Sequence, residues 1–362
     1  MAFFVCLFIF DIAKNETVNY KIVLMKKLFL FQMLICCTVS FVLGQNKFQW
    51  KEATANNYTY KYVENDPLKT RFYTLKNGMT IILSVNKNEP RLQTIIATKA
   101  GSTTDPANHT GLAHYLEHML FKGTDKYGSL DWNKEKPLLD EIDNLYERYN
   151  STTNEDERKE IYKQIDSMSG IAAKFAIANE YDKMMSLLGA KGTNAFTSNE
   201  VTAYVNDIPS NQIEKWLTVE SERFRNPIFR IFHTELEAVY EEKNRGLDND
   251  NRKANEALMA ALFQKHNYGQ QTTIGTIEHL KNPSLKEIRK YFYNNYVPNN
   301  MCMILVGDFN PDAVIKMVDE KFSAFQPKEV KPYIAEPEAE ITAPIDRTVY
   351  GPKDEWIDIG FG

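Results

Sequence analysis

Residues 111–124, GLAHYLEHMLFKGT, are the stretch that decides how the rest of this sequence is interpreted. They contain His114, Glu117 and His118. In an α-helix, positions i, i+3 and i+4 share one face, so two imidazoles a turn apart can converge on one cation. The carboxylate between them can then face a water on that cation. Two histidines and a carboxylate with one open position are typical of catalytic zinc. The stretch predicts a helix that supplies two metal ligands and a base, and it requires a third ligand from elsewhere.

The pentapeptide His-x-x-Glu-His reverses the commoner His-Glu-x-x-His and is the inverzincin motif. Three fixed residues in five also arise by chance. The alternative interpretation is a helix with two surface histidines and a glutamate that forms a salt bridge. The pentapeptide alone leaves both interpretations open.

Length and composition limit the class of protein. With 362 residues, the chain is long enough for one large or two medium domains, and its 43% hydrophobic and 25% charged residues are typical of a soluble globular protein. The net charge of -5 gives no electrostatic reason to expect a nucleic-acid partner. Of the four cysteines, only Cys302 lies in the body of the chain. A cysteine-based zinc site is therefore excluded.

The N-terminus has the layout of a secretory signal. A basic start at Met25, Lys26 and Lys27 precedes an apolar run over 28–42. The run is short for a membrane span, and no later stretch reaches the roughly 20 apolar residues that a span needs. We predict a signal peptide at 1–44, with Met25 as an alternative start, and a secreted or periplasmic protein without a stable membrane span. A membrane anchor is the alternative.

Hydrophobic periodicity predicts an α+β fold. Asn77-Gly78 between two apolar runs predicts a β-hairpin. Further strands are predicted at 92–98, 194–197, 201–205 and 301–306, and helices at 111–122, 213–224, 234–245, 254–263, 285–296 and 311–325. Such an order is typical of a mostly antiparallel sheet with helices packed on one face.

The same patterns suggest how the chain is divided. We predict a catalytic domain at 45–335, interrupted at about 128–188 by a helical hairpin that breaks near 151–154. Residues 336–362 are predicted to be a linker and the first strand of a truncated second domain. The hairpin either caps a substrate entrance or is a surface decoration.

The flanks of the pentapeptide resemble the insulinase-type, or M16, metallopeptidase family over the whole of 111–124. The resemblance continues in Asn194-Ala195-Phe196-Thr197-Ser198 and in three further stretches. These are ESERFRNP at 220–227, ELEAVYEE at 235–242 and the loop at 269–275. The resemblance covers the chain from about residue 71 onwards and implies an M16 metallopeptidase-like domain.

The resemblance implies one zinc ion per chain, with His114, His118 and Glu242 as its ligands. Glu235 precedes Glu242 by two helical turns, so both share a face, and the resemblance places Glu235 beside the ligands. The helix is rich in glutamate, and Glu241 is the adjacent alternative. The gap between His118 and Glu242 is longer than is usual in the family. The extra length falls in the hairpin. A hairpin inserted in a loop need not disturb the site, because the entropic cost of closing a loop grows slowly with its length.

The resemblance also implies the activity. It predicts a zinc metalloendopeptidase, a hydrolase of peptide bonds in peptides or small unfolded polypeptides, with Glu117 as general base. An extended substrate would add as a strand beside Asn194, Ala195 and Phe196. One alternative is a non-catalytic peptide-binding homologue, against which the intact metal-binding set argues. The other is an inactive fragment that needs a C-terminal half or a second subunit as partner.

Overall fold

The computed structural model describes residues 48–351 and 357–360. The predicted signal peptide lies outside these residues. The described residues form two compact units, 48–51 with Val63–Pro67, and Glu52–Tyr62 with the chain from Leu68 onwards. In the smaller unit, Lys51 Nζ lies 2.5 Å from Glu64 Oε1. The larger unit contains all residues of the predicted site.

The described strands form one eight-stranded sheet. They are β1 (Trp50–Ala55), β2 (Tyr58–Val63), β3 (Arg71–Thr74), β4 (Thr80–Val85), β5 (Arg91–Thr98), β6 (Lys191–Thr197), β7 (Thr202–Pro209) and β8 (Met301–Gly307). Their order is β1-β2-β3-β4-β8-β5-β7-β6. β4 and β8 are parallel, whereas β2–β3, β3–β4, β5–β7, β5–β8 and β6–β7 are antiparallel. The predicted mostly antiparallel sheet is confirmed.

Most helices follow the predicted periodicities, whereas the two short helices within residues 267–281 match no predicted helix. The helices are α1 (Leu112–Met119), α2 (Trp132–Ser151), α3 (Glu155–Ala172), α4 (Glu180–Leu187), α5 (Ile213–Arg225), α6 (Phe232–Leu247), α7 (Asp250–Leu262), α8 (Asn267–Gln270), α9 (Ile277–Lys281), α10 (Leu285–Asn295) and α11 (Pro311–Phe322). Among the described residues, no helix is long and apolar enough to cross a membrane.

The two faces of the sheet differ in burial. Neighbouring strands align in rows, and alternate rows lie on opposite faces. One row is Ile81, Met303, Ile96 and Tyr204, and the next row is Ile82, Ile304, Ile95 and Val205. Residues of the first row are at most 1% exposed, whereas those of the second are only partly buried. Since α1 contacts β6 and β7 and α11 contacts β4, the helices cover the first face, as predicted.

The first four strands of the sheet form two hairpins. The predicted one joins β3 to β4, and Gly78 takes a positive φ of 86° in its turn. The other joins β1 to β2, whereas the polar and aromatic composition of residues 46–69 predicts only an extended lead-in there. Asn56 and Asn57 have φ values of 49° and 68°. Two consecutive positive φ values match the twist of a two-residue hairpin, and asparagine tolerates them.

The predicted helical hairpin consists of α2 and α3. Asn154 caps α3, since its Oδ1 accepts bonds from Asp156 N and Glu157 N at 3.0 and 3.1 Å. The chain enters and leaves the hairpin at adjacent points, where Leu130 N donates to Phe175 O and Ile177 N to Gly128 O. The hairpin packs on other helices, for example through Tyr146 Oη, 3.0 Å from His233 Nδ1 in α6.

The strand expected near the end of the chain is not formed in the residues that the structure describes there, 347–351 and 357–360. A strand is stable only when a neighbouring strand pairs with it. These residues have no such neighbour in the described part of the chain.

Candidate metal centre

The helix α1 is held at its N-terminus by a buried carboxylate. Asp105 accepts hydrogen bonds from Gly111 N at 2.7 Å and from Ala113 N at 2.9 Å, donors that a helix leaves unpaired. Gly111 adopts a φ of 88° before the first turn. The helix ends at Met119, three residues before the predicted end. The chain then turns more tightly, with Lys122 N bonded to Met119 O, and Gly123 takes a φ of 92°.

Three predicted ligands converge. Glu242 Oε2 lies 3.7 Å from His114 Nε2 and 3.8 Å from His118 Nε2. One ligand atom from each residue falls within 4.8 Å of the others, and no second group of this kind occurs in the described ranges. Zinc bonds of about 2.0–2.1 Å place tetrahedral ligand atoms about 3.4 Å apart. Two imidazoles and a carboxylate at these separations fit a zinc ion.

Glu235 joins this group from the same face of α6 as Glu242. Its Oε2 lies 3.5 Å from His118 Nδ1, the ring nitrogen that faces away from Glu242. Its Oε1 lies 2.7 Å from Lys122 Nζ, and both side chains are 13% exposed. Burial raises the pKa of Glu235, but the bonds from His118 and Lys122 outweigh burial, so the pKa is lowered overall. A charged Glu235 can therefore orient His118 through Nδ1–H.

Replacing Lys122 with Met should weaken zinc binding by about 10- to 100-fold, the usual effect of losing a group that orients a ligand. Without the ammonium group, Glu235 loses one of its two partners and holds His118 less firmly. A competition titration with a chromophoric chelator measures the affinity. The matched control is Lys126→Met, because the ammonium of Lys126 pairs with Glu222 on the surface. Equal affinities for the two variants would contradict the role of Lys122.

His114 is the more buried histidine of the pair. Burial, together with the charges of His118 and Arg252, lowers the pKa of His114 to about 4. The ring is therefore neutral at neutral pH, as a metal ligand must be. Unlike His118, its Nδ1 makes no hydrogen bond within the described residues.

The lowered pKa predicts how stability depends on pH in the zinc-free protein. An unfolded histidine takes up a proton near pH 6.5, whereas folded His114 does so near pH 4. Between these values the unfolded chain binds more protons, so the free energy of unfolding falls as the pH falls. Urea titrations at pH 7.5 and 5 measure the fall. It should be smaller in His114→Gln, and an equal fall in both proteins would contradict the shift.

Glu117 lies in α1 and is 8% exposed. Thr197 Oγ1 donates to its Oε2 at 2.5 Å. Burial raises the pKa of Glu117, and although Thr197 and His118 oppose this, the pKa stays above the ordinary value. Glu117 and Glu235 therefore differ, since the pKa of the first is raised and that of the second is lowered.

The predicted substrate-binding residues lie on β6, the last strand in the sheet order. Ala195 and Thr197 point to the helix-covered face, and Asn194 and Phe196 point to the other face. Phe196 is 52% exposed. Thr197 links this edge strand to Glu117, so β6 passes beside the helix that carries both histidines.

Sequence reasoning missed two residues of this site, Lys122 and Thr197. Lys122 follows His118 by four positions, which would place both on one helix face, but the helix ends between them. Thr197 ends the predicted strand at 194–197, and the sequence indicates no partner for its side chain. Its bond joins residues 80 positions apart, and no local pattern reveals such a contact.

A buried arginine connects the loop after α1 to the helical hairpin. Arg230 Nε lies 3.0 Å from Glu135 Oε1 in α2, and both side chains are fully buried. Its other nitrogens donate to the carbonyl oxygens of Lys122, Thr124 and Tyr127 at 2.6, 2.8 and 3.3 Å. Arg230 therefore fixes the loop that begins with Lys122.

Two glycines leave room for this side chain. A Cβ atom on Gly123 or Gly128 would lie 2.8 or 2.6 Å from Arg230 Nη1. Both glycines also have φ values near 90°, a conformation that other residues rarely adopt. The loop after α1 therefore packs closely around the guanidinium group of Arg230.

Comparison with known proteins identifies the family. A family model described as "Insulinase (Peptidase family M16)" matches residues 80–159 and 150–276. A model described as "Peptidase M16 inactive domain" matches residues 283–358. The insulin-degrading enzyme of Drosophila melanogaster is 26% identical over 280 residues, which cover 74% of this chain and 23% of that protein. Zinc protease PqqE of Helicobacter pylori is 24% identical over 300 residues, 80% of this chain and 55% of that protein.

Solved structures agree on the fold. The first half of the periplasmic protease PqqL from Escherichia coli superposes with a TM-score of 0.56 at 18% identity, covering 75% of this chain and 50% of that one. The chain therefore spans between about a quarter and about half of the length of these relatives. The first family model alone extends over residues 80–276, more than half of the sequence. The chain belongs to the insulinase, or M16, family of peptidases.

Proposed function

We propose that this chain carries the metal-binding and proton-transferring part of a zinc metalloendopeptidase. The observation that carries the proposal is the convergence of His114, His118 and Glu242 around one point, with Glu117 on the same helix as the histidines. Three protein ligands leave the fourth tetrahedral position open. Glu235 would orient His118 from behind. One zinc ion per chain fits this set.

Zinc, when bound, polarises the scissile carbonyl group and lowers the pKa of a water. Glu117 takes a proton from the attacking water and passes it to the leaving nitrogen as the C–N bond breaks. Its raised pKa supports this role, because a base is most effective when its pKa approaches the working pH. Glu235, whose pKa is lowered, stays charged and accepts bonds from both His118 and Lys122.

The proposed substrates are peptides or small unfolded polypeptides. An extended peptide would pair with β6 at Asn194, Ala195 and Phe196, because β6 is the outermost strand and has one edge open in the sheet order. Main-chain hydrogen bonds would supply the affinity and pockets for alternate side chains the preference.

We further propose that a second half or second subunit completes the enzyme, as in the relatives of which this chain matches only a part. In this proposal, residues 45–335 form the catalytic domain, and the helical hairpin at about 128–188 is an insertion in it. A secreted or periplasmic location is proposed from the signal-like N-terminus and from the periplasmic relative.

Metal analysis and peptide cleavage test the proposal together. The purified chain should contain about one zinc ion and hydrolyse an unstructured fluorogenic peptide. A chelator should abolish cleavage, and added zinc should restore it. Zinc binding without cleavage would indicate that the second half is required, and mixing in that half should then restore the activity. A folded chain that binds no zinc would contradict the proposal.

A further inference from the structure

The last residue of β6 contacts the proposed base directly. Thr197 Oγ1 lies 2.5 Å from Glu117 Oε2 and 3.3 Å from Thr202 Oγ1 on the neighbouring strand. Because side chains alternate along a strand, Thr197 points to the helix-covered face on which α1 packs. The hydroxyl group of Thr197 has one proton, which it can donate either to Glu117 or to Thr202.

The hydrogen-bonding groups decide which neighbour receives it. A charged carboxylate only accepts hydrogen bonds, so Thr197 must be the donor to Glu117. Thr202 already donates its own proton to Ala100 O at 2.9 Å and cannot donate to Thr197. The proton of Thr197 thus belongs to Glu117, and this bond is the shorter of its two contacts.

We propose that Thr197 is a positioning residue for Glu117: it holds Oε2, so that Oε1 is the oxygen that takes the proton from water. The inference rests on the proposed role of Glu117 as general base. A glutamate side chain has several rotatable bonds, and a donor fixed in a strand limits its freedom. The hydroxyl also belongs to the strand proposed to pair with the peptide. One rigid element therefore sets the positions of both the base and the scissile bond.

Substitutions at Thr197 separate positioning from folding. Thr197→Val removes the hydroxyl at nearly constant volume, and Thr197→Ser keeps the hydroxyl. We expect kcat to fall by about 10- to 100-fold in the valine variant, with KM changed little and zinc content unchanged. The serine variant should recover most of the loss. The matched control is Thr193→Val on the same strand and face, because the hydroxyl of Thr193 bonds to Asn206 and not to the base.

A second readout needs neither zinc nor activity. In the zinc-free protein, the urea midpoints of Thr197→Val, Glu117→Ala and the double variant form a cycle. The two residues should be coupled, so the combined shift should be smaller than the sum of the single shifts. If the valine variant does not fold, Thr197→Ala and Thr197→Ser provide the same comparison.

Three outcomes would overturn the inference. They are a wild-type kcat in Thr197→Val, a change in KM alone, and additive shifts in the cycle. An active Glu117→Gln variant would instead refute the proposed function. A Glu117→Gln variant without activity, together with a fully active Thr197→Val variant, refutes only the role of Thr197.

Discussion

Replacing Glu117 with Gln is expected to reduce peptide hydrolysis by about 10²- to 10⁴-fold while the chain keeps its zinc, since this is the contribution of a positioned general base. Gln has nearly the same shape as Glu and can still accept the bond from Thr197. It cannot take a proton from water. His114 and His118 keep their places in α1, so the metal-binding group is unchanged.

The measurement combines kcat/KM on a fluorogenic peptide with metal content after dialysis. Glu241→Gln is the matched control, because Glu241 lies in α6 next to the proposed ligand Glu242 but outside the converging group. It should match the wild type in both quantities. Full activity in Glu117→Gln would show that another group takes the proton, and loss of zinc would show that Glu117 acts on the metal site itself.

Replacing Arg230 with Met should lower the free energy of unfolding by about 3–5 kcal/mol, the usual effect of breaking a buried ion pair. Glu135 would be left fully buried with no cationic partner. Three carbonyl oxygens of the loop after α1 would also lose their donor. Urea-induced unfolding followed by circular dichroism measures the change.

Two further variants isolate the cause. Arg225→Met breaks a pair with Glu222 in which the arginine is 43% exposed, and it should lower stability by about 1 kcal/mol or less. Adding Glu135→Leu to Arg230→Met should restore part of the loss, because the double variant has no unpaired buried charge. If Arg230→Met is as stable as Arg225→Met, the buried pair does not hold the loop.

The sequence alone predicted the elements of this fold better than their arrangement. Apolar spacing located most helices and strands within a few residues, because that spacing reflects which side faces the core. It did not reveal that β8 lies between β4 and β5, since strand order depends on contacts between distant residues. The β1–β2 hairpin was not predicted, because the polar and aromatic stretch 46–69 indicated only an extended lead-in.

The candidate site shows the same limit. Helix geometry places His114 and His118 together, and separately Glu235 and Glu242, from the sequence alone. Only the resemblance to the family predicts that these two helices lie together. Lys122 contacts the site from beyond the end of α1, and Thr197 contacts it from the edge strand β6. Their roles depend on distances of a few ångströms that no sequence pattern specifies.

The position of β8 also sets the order in which this chain can fold. β4 and β5 are joined in the sheet only through residues 301–307, which pair with both. Every proposed ligand precedes these residues, so a ribosome releases the whole metal-binding set before the strand that completes the sheet. A polypeptide arrested before residue 301 would contain both histidines and both glutamates but would lack the centre of its sheet. Such non-local pairing slows folding, so nascent chains should acquire zinc late, after β8 has inserted.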